Sequence, residues 1–240
     1  MTRRHLKRLA APRSWKIERK THTWVVRPRP GKHRLDESLP LLHVVRDILG
    51  YADSYREAKR IIKEGGVLVD GRVVRDPKQG VGLMDVVEVP KTKERFVVLV
   101  DSAGVLRLSE IKATESKTKL LKIRGKTFVK GGVLQLNLHD GRNILVKPEE
   151  AGNYHVHDTI VLNLKDNSIK QHLKYEVGAI VFVTKGSHRG EVARIKEINK
   201  IRSPMPNTVV LEKDGREFRT IEDYLIVVGR DKPILSVMKK

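Results

Sequence analysis

The hydrophobic and polar positions of the chain follow two periods, a helical one in the first third and an alternating one later. In the segment SLPLLHVVRDILG, apolar residues recur every three or four positions, which predicts a helix. Ser38 is the expected N-cap, Pro40 lies in the first turn, and Gly50 ends the pattern. We therefore expect a first helix that starts at Ser38.

A second helix is predicted at SYREAKRIIKE, and its two faces differ in charge. Ser54 and Glu57 form a capping-box pattern at its start, and Gly65 follows its end. The apolar residues share one face, and Glu64 is placed to pair with Arg60 at the border. The opposite face carries only cations, which are Arg56, Lys59, Arg60 and Lys63. A hydrated helix face usually mixes both signs of charge, so this cationic stripe favours phosphate binding.

The segment GVLVDGRVVRDP predicts a β-hairpin, because Asp70-Gly71 favours a type I′ turn between two valine-rich strands. Residues 35–100 hold 11 Lys or Arg and 11 acidic residues, so their net charge is zero. A basic surface here has to come from the placement of cations. We expect it to include the stripe together with Arg46, Arg72, Arg75 and Lys78.

Two helices followed by GGVLVDGRVV resemble the S-four RNA-binding domain, which occurs in ribosomal proteins, pseudouridine synthases and some tRNA synthetases. The resemblance implies that the second helix and the adjoining loop lie on structured RNA. It indicates RNA binding without indicating which RNA.

From residue 96 onwards the pattern alternates, which predicts short strands. FVVLV and VLRLS form an expected hairpin, and KLLKI, KTFV, VLQLNL, NILV and DTIVLNL follow, with Gly125 as one of the turns. This spacing suggests a small antiparallel barrel or curled sheet. Its segment ESKTKLLKIRGKTFVKGG is a second basic patch, for which hydration and RNA contact both remain open.

The segment YEVGAIVFVTKGSHRGEVARIKEI alternates cleanly on both sides of a glycine-bounded loop. It resembles the KOW motif of ribosomal proteins and transcription elongation factors. The loop glycines allow positive φ and close backbone approach. The resemblance implies that Lys185, His188 and Arg189 point at a partner, and later strands around Asp214-Gly215 complete an expected SH3-like barrel.

The net charge of the chain indicates which classes of molecule it binds. It has 49 Lys or Arg and 29 Asp or Glu, a formal net charge of +20. Nucleic acid is the leading anionic partner and an anionic membrane surface the second. The chain has no cysteine, which excludes disulfides, thiolate catalysis and cysteine zinc sites. No apolar run reaches the roughly 18 residues of a membrane span.

More than half of the excess charge lies at the start, where residues 1–34 hold 12 Lys or Arg and one acid. Three prolines and no apolar period predict an extended basic arm that orders against RNA. Trp15 and Trp24 either stack on bases or hold the arm to the protein core, and we favour the core. The arm's expected RNA-binding residues are Arg3, Arg4, Lys7, Arg8, Arg13, Lys16, Arg27, Arg29, Lys32 and Arg34.

The sequence patterns that would indicate an enzyme or a metal site are weaker than those that indicate RNA binding. His155 and His157 could share a strand face, but no third ligand is evident, so we expect no metal and no cofactor. Arg34-Leu35-Asp36 resembles the catalytic run of pseudouridine synthases, yet Glu37 follows it where that family has glycine. A KOW-bearing transcription factor is the other alternative, and it needs an α/β domain that the pattern does not predict. We expect no enzyme and no small-molecule substrate.

The order of the segments resembles one family as a whole. HLKRLAAPRSWKI, WVVRPRPGKH, LGYADSYREAKRII, VGLMDVVEV and the terminal KOW segment together resemble the archaeal and eukaryotic S-four-e family of small-subunit ribosomal proteins. The resemblance implies a structural, rRNA-binding protein in cytoplasmic ribosomes, with small-subunit rRNA and neighbouring ribosomal proteins as partners. Lys32 departs from the family pattern, which has proline there. The absence of cysteine and the short length favour an archaeal source.

We therefore expect an α+β chain with four parts. They are a basic N-terminal extension (1–37), a helix-helix-β RNA-binding domain (38–95), a central β-rich domain (96–173) and a C-terminal KOW-type SH3-like barrel (174–240).

Overall fold

The computed structural model describes residues 5–239, which form two compact units. The first unit contains the chain up to residue 100 and residues 104–117. The second contains residues 101–103 and the chain from 118 onwards. Antiparallel strands dominate both units and helices are few and short, so the expected mixed α+β class is confirmed.

The first unit contains the strands β1 to β9 within the described residues. β1 pairs with β2 and β3 with β6, and the others form one sheet in the order β5-β4-β7-β8-β9. In chain order their bounds are Leu6–Lys7, Trp24–Val25, Ser38–Pro40, Leu68–Val69, Arg72–Val73, Gly80–Gly82, Val86–Val89, Glu94–Val100 and Leu106–Glu110.

The first helix begins later than the sequence pattern indicates. Helix α1 covers Leu41–His43 and continues as a π-helical turn to Ile48, and Gly50 then adopts a φ of 68°. Ser38 is therefore not an N-cap, and that prediction is wrong. Ser38 lies in β3 opposite Gly82, because extended residues here gain a strand partner that is distant in the sequence.

Helix α2 covers Tyr55–Lys63 and agrees with its prediction. Ser54 and Glu57 form both hydrogen bonds of the capping box. Ala58 and Ile62 are buried, so the apolar face packs on the core and the cationic stripe faces outward. The hairpin that follows has the expected type I′ turn.

Positive φ angles at both central residues define that turn, 52° at Asp70 and 74° at Gly71. Val69 pairs with Arg72 across it. Its short strands β4 and β5 lie at one end of the five-stranded sheet.

The basic arm packs on the first unit over much of its length, which its composition did not predict. Leu6 pairs with Val25, and Ser14 accepts a backbone hydrogen bond from Leu106 at 2.9 Å. Trp15 is 2% exposed in the core, which confirms its predicted role. Trp24 is 57% exposed, so the same prediction is wrong for Trp24.

The sheet of the first unit extends past the expected boundary between residues 95 and 96. That boundary falls inside β8, which pairs with β7 on one side and with β9 on the other. The hairpin of β8 and β9, predicted from its alternation, is present, but it completes the first unit.

The second unit contains β10 to β19 in two five-stranded sheets, with orders β12-β11-β10-β13-β14 and β18-β17-β16-β15-β19. In chain order the bounds are Thr118–Phe128, Leu134–Leu138, Asn143–Val146, Thr159–Asn163, Ile169–Leu173, Ile180–Val183, Val192–Asn199, Thr208–Lys213, Arg216–Ile221 and Leu225–Gly229.

The sequence pattern predicted a turn at Gly125, and this prediction is wrong. Gly125 lies within strand β10. The ladder between β10 and β11 shifts register between Ile123 and Gly125, which marks a bulge. The strand thereby pairs with β13 through its first half and with β11 through its second half. A single long strand in this way replaces the two short ones predicted from KLLKI and KTFV.

A buried amine on β10 joins that strand to the 3-10 turn Glu222–Tyr224 in the second unit. The Lys122 amine donates to the carbonyl oxygens of Glu222 at 3.2 Å and Asp223 at 3.0 Å. Burial lowers the pKa of Lys122 to about 8.

Short 3-10 turns connect the strands of both units. They are Arg8–Ala10, Leu35–Glu37, Glu115–Lys117, Pro148–Asn153, Glu222–Tyr224 and Ser236–Lys239.

The two tryptophans of the arm provide a test of its packing. Trp15→Ala should destabilise the first unit by about 3–5 kcal/mol, because it removes a fully buried aromatic side chain. Trp24→Ala, at an exposed position, is the matched control and should change stability far less. Urea unfolding of the RNA-free protein measures both, and equal effects would contradict a folded arm.

Candidate nucleic-acid interface

The cationic stripe of α2 lies on the surface of the first unit. Arg56, Arg60 and Lys63 are exposed, and Lys59 is half-buried with its amine 5.8 Å from the centre of the Tyr55 ring. Arg60 pairs with Glu64 at 2.8 Å, as predicted, and the hydrogen bond to Glu64 raises the pKa of Arg60. The capping box fixes the start of the helix and buried residues fix its rotation, so the cations project together.

The hairpin after α2 adds cations close to the end of the helix. Arg72 and Arg75 are both exposed. Gly65 has a φ of 82°, and a Cβ atom there would lie 3.9 Å from the Arg75 guanidinium. Arg75 therefore lies beside the carboxyl end of α2, where a cation also complements the helix dipole.

Lys78 lies next to the arm. The backbone N–H of Arg29 donates to the carbonyl oxygen of Lys78 at 2.9 Å, and both side chains are exposed. Arg29 also pairs with Asp76 at 3.1 Å. The structure thus brings together cations that are about fifty residues apart in the sequence.

Two buried carboxylates hold the arm to the sheet, and sequence reasoning missed both. Asp70 accepts from the Lys32 amine at 2.7 Å and from the Val86 backbone N–H at 3.0 Å. Asp85 lies 3.0 Å from the His33 ring nitrogen Nε2. Lys32 therefore has a structural role at the position where it departs from the family pattern. The sequence did contain one signal for this attachment. Asp70 was predicted as a turn residue, but no partner was predicted for its carboxylate.

Two other predicted cations make contacts inside the protein. Arg8 is 7% exposed and its guanidinium donates to the carbonyl oxygen of Glu18. Arg46 pairs with Asp47 at 2.9 Å. Burial alone would raise the pKa of Asp47, but hydrogen bonds from His43 and Arg46 lower it to about 2. The guanidinium of Arg8 therefore has a partner within the arm.

The remaining predicted cations of the arm differ in exposure. Arg34 is exposed and lies 3.7 Å from Asp36, and Arg27 is half-buried. Lys7, Arg13 and Lys16 are exposed. The predicted residues Arg3 and Arg4 lie outside the described residues.

In the second unit, the glycine-bounded loop has the predicted backbone conformation. Gly186 and Gly190 have φ angles of 89° and 82°. A Cβ atom at Gly190 would lie 2.6 Å from the backbone of Asp101, so the close approach is to the chain itself. Lys185 and Arg189 are exposed, and Arg189 donates to the carbonyl oxygen of Ser102 at 3.2 Å.

The His188 ring stacks on Phe218, with ring centres 4.1 Å apart. Its nitrogen Nδ1 lies 3.6 Å from Glu191. These contacts hold the His188 ring against its own unit.

The residues considered for metal binding have other neighbours. His155 lies 3.8 Å from Asp158, and His157 lies 3.7 Å from Glu222. Across residues 5–239, no cluster of three or more His, Cys, Asp or Glu is arranged to hold a metal ion. In the same residues, no helix is long and apolar enough to cross a membrane.

Comparison with known families covers three successive segments. Residues 2–36 match the RS4NT (NUC023) domain, residues 41–87 the S4 domain, and residues 92–169 the Ribosomal family S4e. Small ribosomal subunit protein eS4 of Methanocaldococcus jannaschii is 50% identical over 242 residues, with 98% of each chain covered. The chain belongs to the ribosomal S4e family.

Other relatives agree with membership of the S4e family. The eS4 protein of Methanococcus maripaludis is 45% identical, with 98% of each chain covered. The crystal structure of the 30S ribosomal protein S4e from Thermoplasma acidophilum has a TM-score of 0.70 and 32% identity. That alignment covers 81% of this chain and 96% of the other. The relatives are archaeal, as the composition suggested.

Alanine substitutions at Lys32 and Arg34 test which of these two cations supports the fold. Lys32→Ala should destabilise the first unit by about 1–3 kcal/mol, because the buried Asp70 carboxylate loses its ionic partner. Arg34→Ala, two residues away at an exposed position, should leave the melting temperature nearly unchanged. Thermal unfolding of both variants is the measurement, and an unchanged Lys32→Ala protein would refute the structural role.

Proposed function

We propose that this protein is a structural, rRNA-binding constituent of the small ribosomal subunit in the cytoplasm. The observation that carries the proposal is the exposed cationic face of α2 in a chain that belongs to the S4e family. Relatives that match 98% of the chain are named small ribosomal subunit proteins. Members of this family are structural ribosomal proteins and not enzymes, so no catalytic residues are assigned.

The stripe fits the phosphate backbone of structured RNA. A straight row of Lys and Arg binds phosphates through charge and fixes the register of the protein without reading bases. Arg72, Arg75 and Lys78 extend this surface beyond the helix. Because the capping box and the core hold α2 in place, little conformational entropy is lost when RNA binds.

The arm contributes to the same function as a folded element. Its packing on the sheet means that Lys7, Arg13, Lys16, Arg27, Arg29 and Arg34 are offered to RNA from a fixed backbone. We assign Lys32 to the attachment of the arm, and we exclude the buried Arg8 from the contact set. Arg46 belongs to the proposed surface, with part of its charge offset by Asp47.

The C-terminal segment is proposed to be a KOW-type SH3-like barrel. Its five strands follow one another, and the last, β19, pairs with the first, β15, which is consistent with closure of a small barrel. Lys185, Arg189 and His188 lie on its first loop, where rRNA or a neighbouring ribosomal protein would bind.

The division into four parts, 1–37, 38–95, 96–173 and 174–240, is kept as a proposal about evolutionary modules. The three family matches end near the proposed boundaries, at residues 36, 87 and 169, which supports it. Folding units and modules then differ, since β8 and β9 complete the first unit.

Co-sedimentation tests the proposed location directly. The tagged protein, expressed in its own cells, should sediment with small ribosomal subunits at moderate salt and should leave them at high salt. Recovery with RNA polymerase instead would favour the transcription-factor alternative. Recovery in neither fraction would refute the ribosomal proposal.

Charge removal from α2 tests the stripe. The variant Arg56→Gln, Lys59→Gln, Arg60→Gln and Lys63→Gln should bind small-subunit rRNA more weakly. Its log–log salt slope should fall by roughly 0.7–0.9 for each lost phosphate contact. Its melting temperature should stay nearly unchanged, because the four side chains lie outside the core.

A matched control removes two Lys and two Arg from exposed positions of the second unit, at Lys165, Lys170, Arg202 and Arg216. This variant has the same net charge as the stripe variant and should retain most of the wild-type affinity. If both variants weaken binding equally, net charge alone would explain the loss and the stripe would have no special role.

A further inference from the structure

We propose that the outer face of the sheet formed by β10, β11 and β12 is a second RNA contact, which binds unpaired nucleotides of rRNA. We call it the amide face and define it by Gly125, Thr127, Gln135, Asn137, Asn143 and Leu145. The inference rests on the proposed rRNA-binding function and adds a surface of different chemistry to it.

Strand register places these residues in two rows across the sheet. Gly125, Asn137 and Asn143 lie opposite one another in the first row. Residues that are directly opposite in an antiparallel sheet share a face, so each row presents its side chains together. The second row contains Thr127, Gln135 and Leu145.

Hydrogen bonds orient the amides of this face. The Gln135 amide donates to Asn137 Oδ1 at 2.7 Å, and the Asn137 amide donates to Thr127 Oγ1 at 3.0 Å. Asn143 is exposed, and within residues 5–239 its side chain takes part in no ion pair or side-chain hydrogen bond. Amides both donate and accept, which suits the edges of unpaired bases.

Apolar groups and glycine give the face room for stacking. Leu145 is 63% exposed on the face. An exposed apolar side chain next to polar groups provides a surface against which an unpaired base packs. Gly125 leaves open space, because a Cβ atom there would meet only Asn137 Nδ2, at 3.8 Å.

Charge favours RNA over a protein neighbour as the occupant. Residues 117–147 hold eight Lys or Arg, of which Lys119 and Lys122 are buried, and one acid, Asp140. Asp140 is fully buried and its carboxylate lies 3.1 Å from both the Lys119 amine and the Arg142 guanidinium. No carboxylate of this segment therefore reaches the surface.

Exposed cations lie at both ends of the amide face. Arg124 is the residue at the β10 bulge, next to the first row. Lys130 lies in the turn between β10 and β11, and Lys147 directly follows β12, beyond the second row. This arrangement, uncharged in the middle and cationic at the ends, fits bases on the sheet with their phosphates at the ends. It also gives a role to the basic patch that the sequence left open.

Two substitutions test the amide face without disturbing the core. Asn143→Asp and Gly125→Glu each place a carboxylate on it. Each should weaken binding of the full-length protein to small-subunit rRNA by about fivefold or more, because like charges within several ångströms repel. The dissociation constant is measured by filter binding at fixed salt. Unchanged thermal unfolding should show that the fold is intact.

Matched controls make the same chemical changes elsewhere in the second unit. Asn167→Asp lies in the exposed turn between β13 and β14, and Gly152→Glu lies in an exposed 3-10 turn with open space around it. Both should bind rRNA within about twofold of wild type, since solvent screens charges away from the contact. Chemical probing should show unpaired nucleotides that wild type and controls protect and that both face variants expose.

The outcomes separate this inference from the proposed function. Wild-type binding to rRNA tests the function alone. If wild type binds but Asn143→Asp and Gly125→Glu behave like their controls, the amide face is refuted and the function stands. If the face variants bind free rRNA normally yet fail to enter small subunits, the occupant is a protein neighbour and the inference is also refuted.

Discussion

The buried carboxylate of Asp70 is the interaction that links the separate segments of the first unit. It belongs to a type I′ turn, accepts from the backbone of β7 and binds the amine of Lys32 in the arm. One side chain thus joins the hairpin, the sheet and the arm. A buried carboxylate is stable only when it is ionically paired and hydrogen-bonded, so these segments have to be in place together. Asp85 repeats the arrangement with His33 and the Gly82 backbone N–H.

This use of carboxylates explains how a segment with no net charge presents a basic surface. Asp70 and Asp85 point inward, and Asp76 pairs with the arm residue Arg29. The cations of α2 have no such inward partners, because the apolar face of the helix already occupies the core. These three acids are therefore paired within the fold or with the arm, and the cationic stripe remains at the surface. The net charge of +20 follows from the composition of the whole chain. The basic surface of this neutral segment instead follows from where its cations and acids lie in the fold.

Local signals in the sequence predicted local structure well. The capping box of Ser54 and Glu57 and the turn at Asp70-Gly71 depend on neighbouring residues only, and both are present. Predictions that depended on distant partners were less reliable. Ser38 resembles an N-cap but pairs with Gly82, and the arm packs around Trp15 although its composition is that of a disordered segment. The cations of the candidate site could be named from the sequence, but the structural roles of Arg8 and Lys32 could not, since their partners are not apparent from local pattern.

The two candidate RNA surfaces differ in what they can distinguish. The stripe of α2 is purely cationic, and phosphates look alike in every sequence, so it can supply affinity and register but little specificity. The amide face carries little charge of its own and presents donors and acceptors on a regular sheet, which suits recognition of particular unpaired bases. The packed arm supplies further cations, and side chains on a fixed backbone bind without a large ordering cost. A chain with this much positive charge would bind any RNA through phosphates alone. The amide face would add contacts to bases, which phosphate contacts alone do not supply.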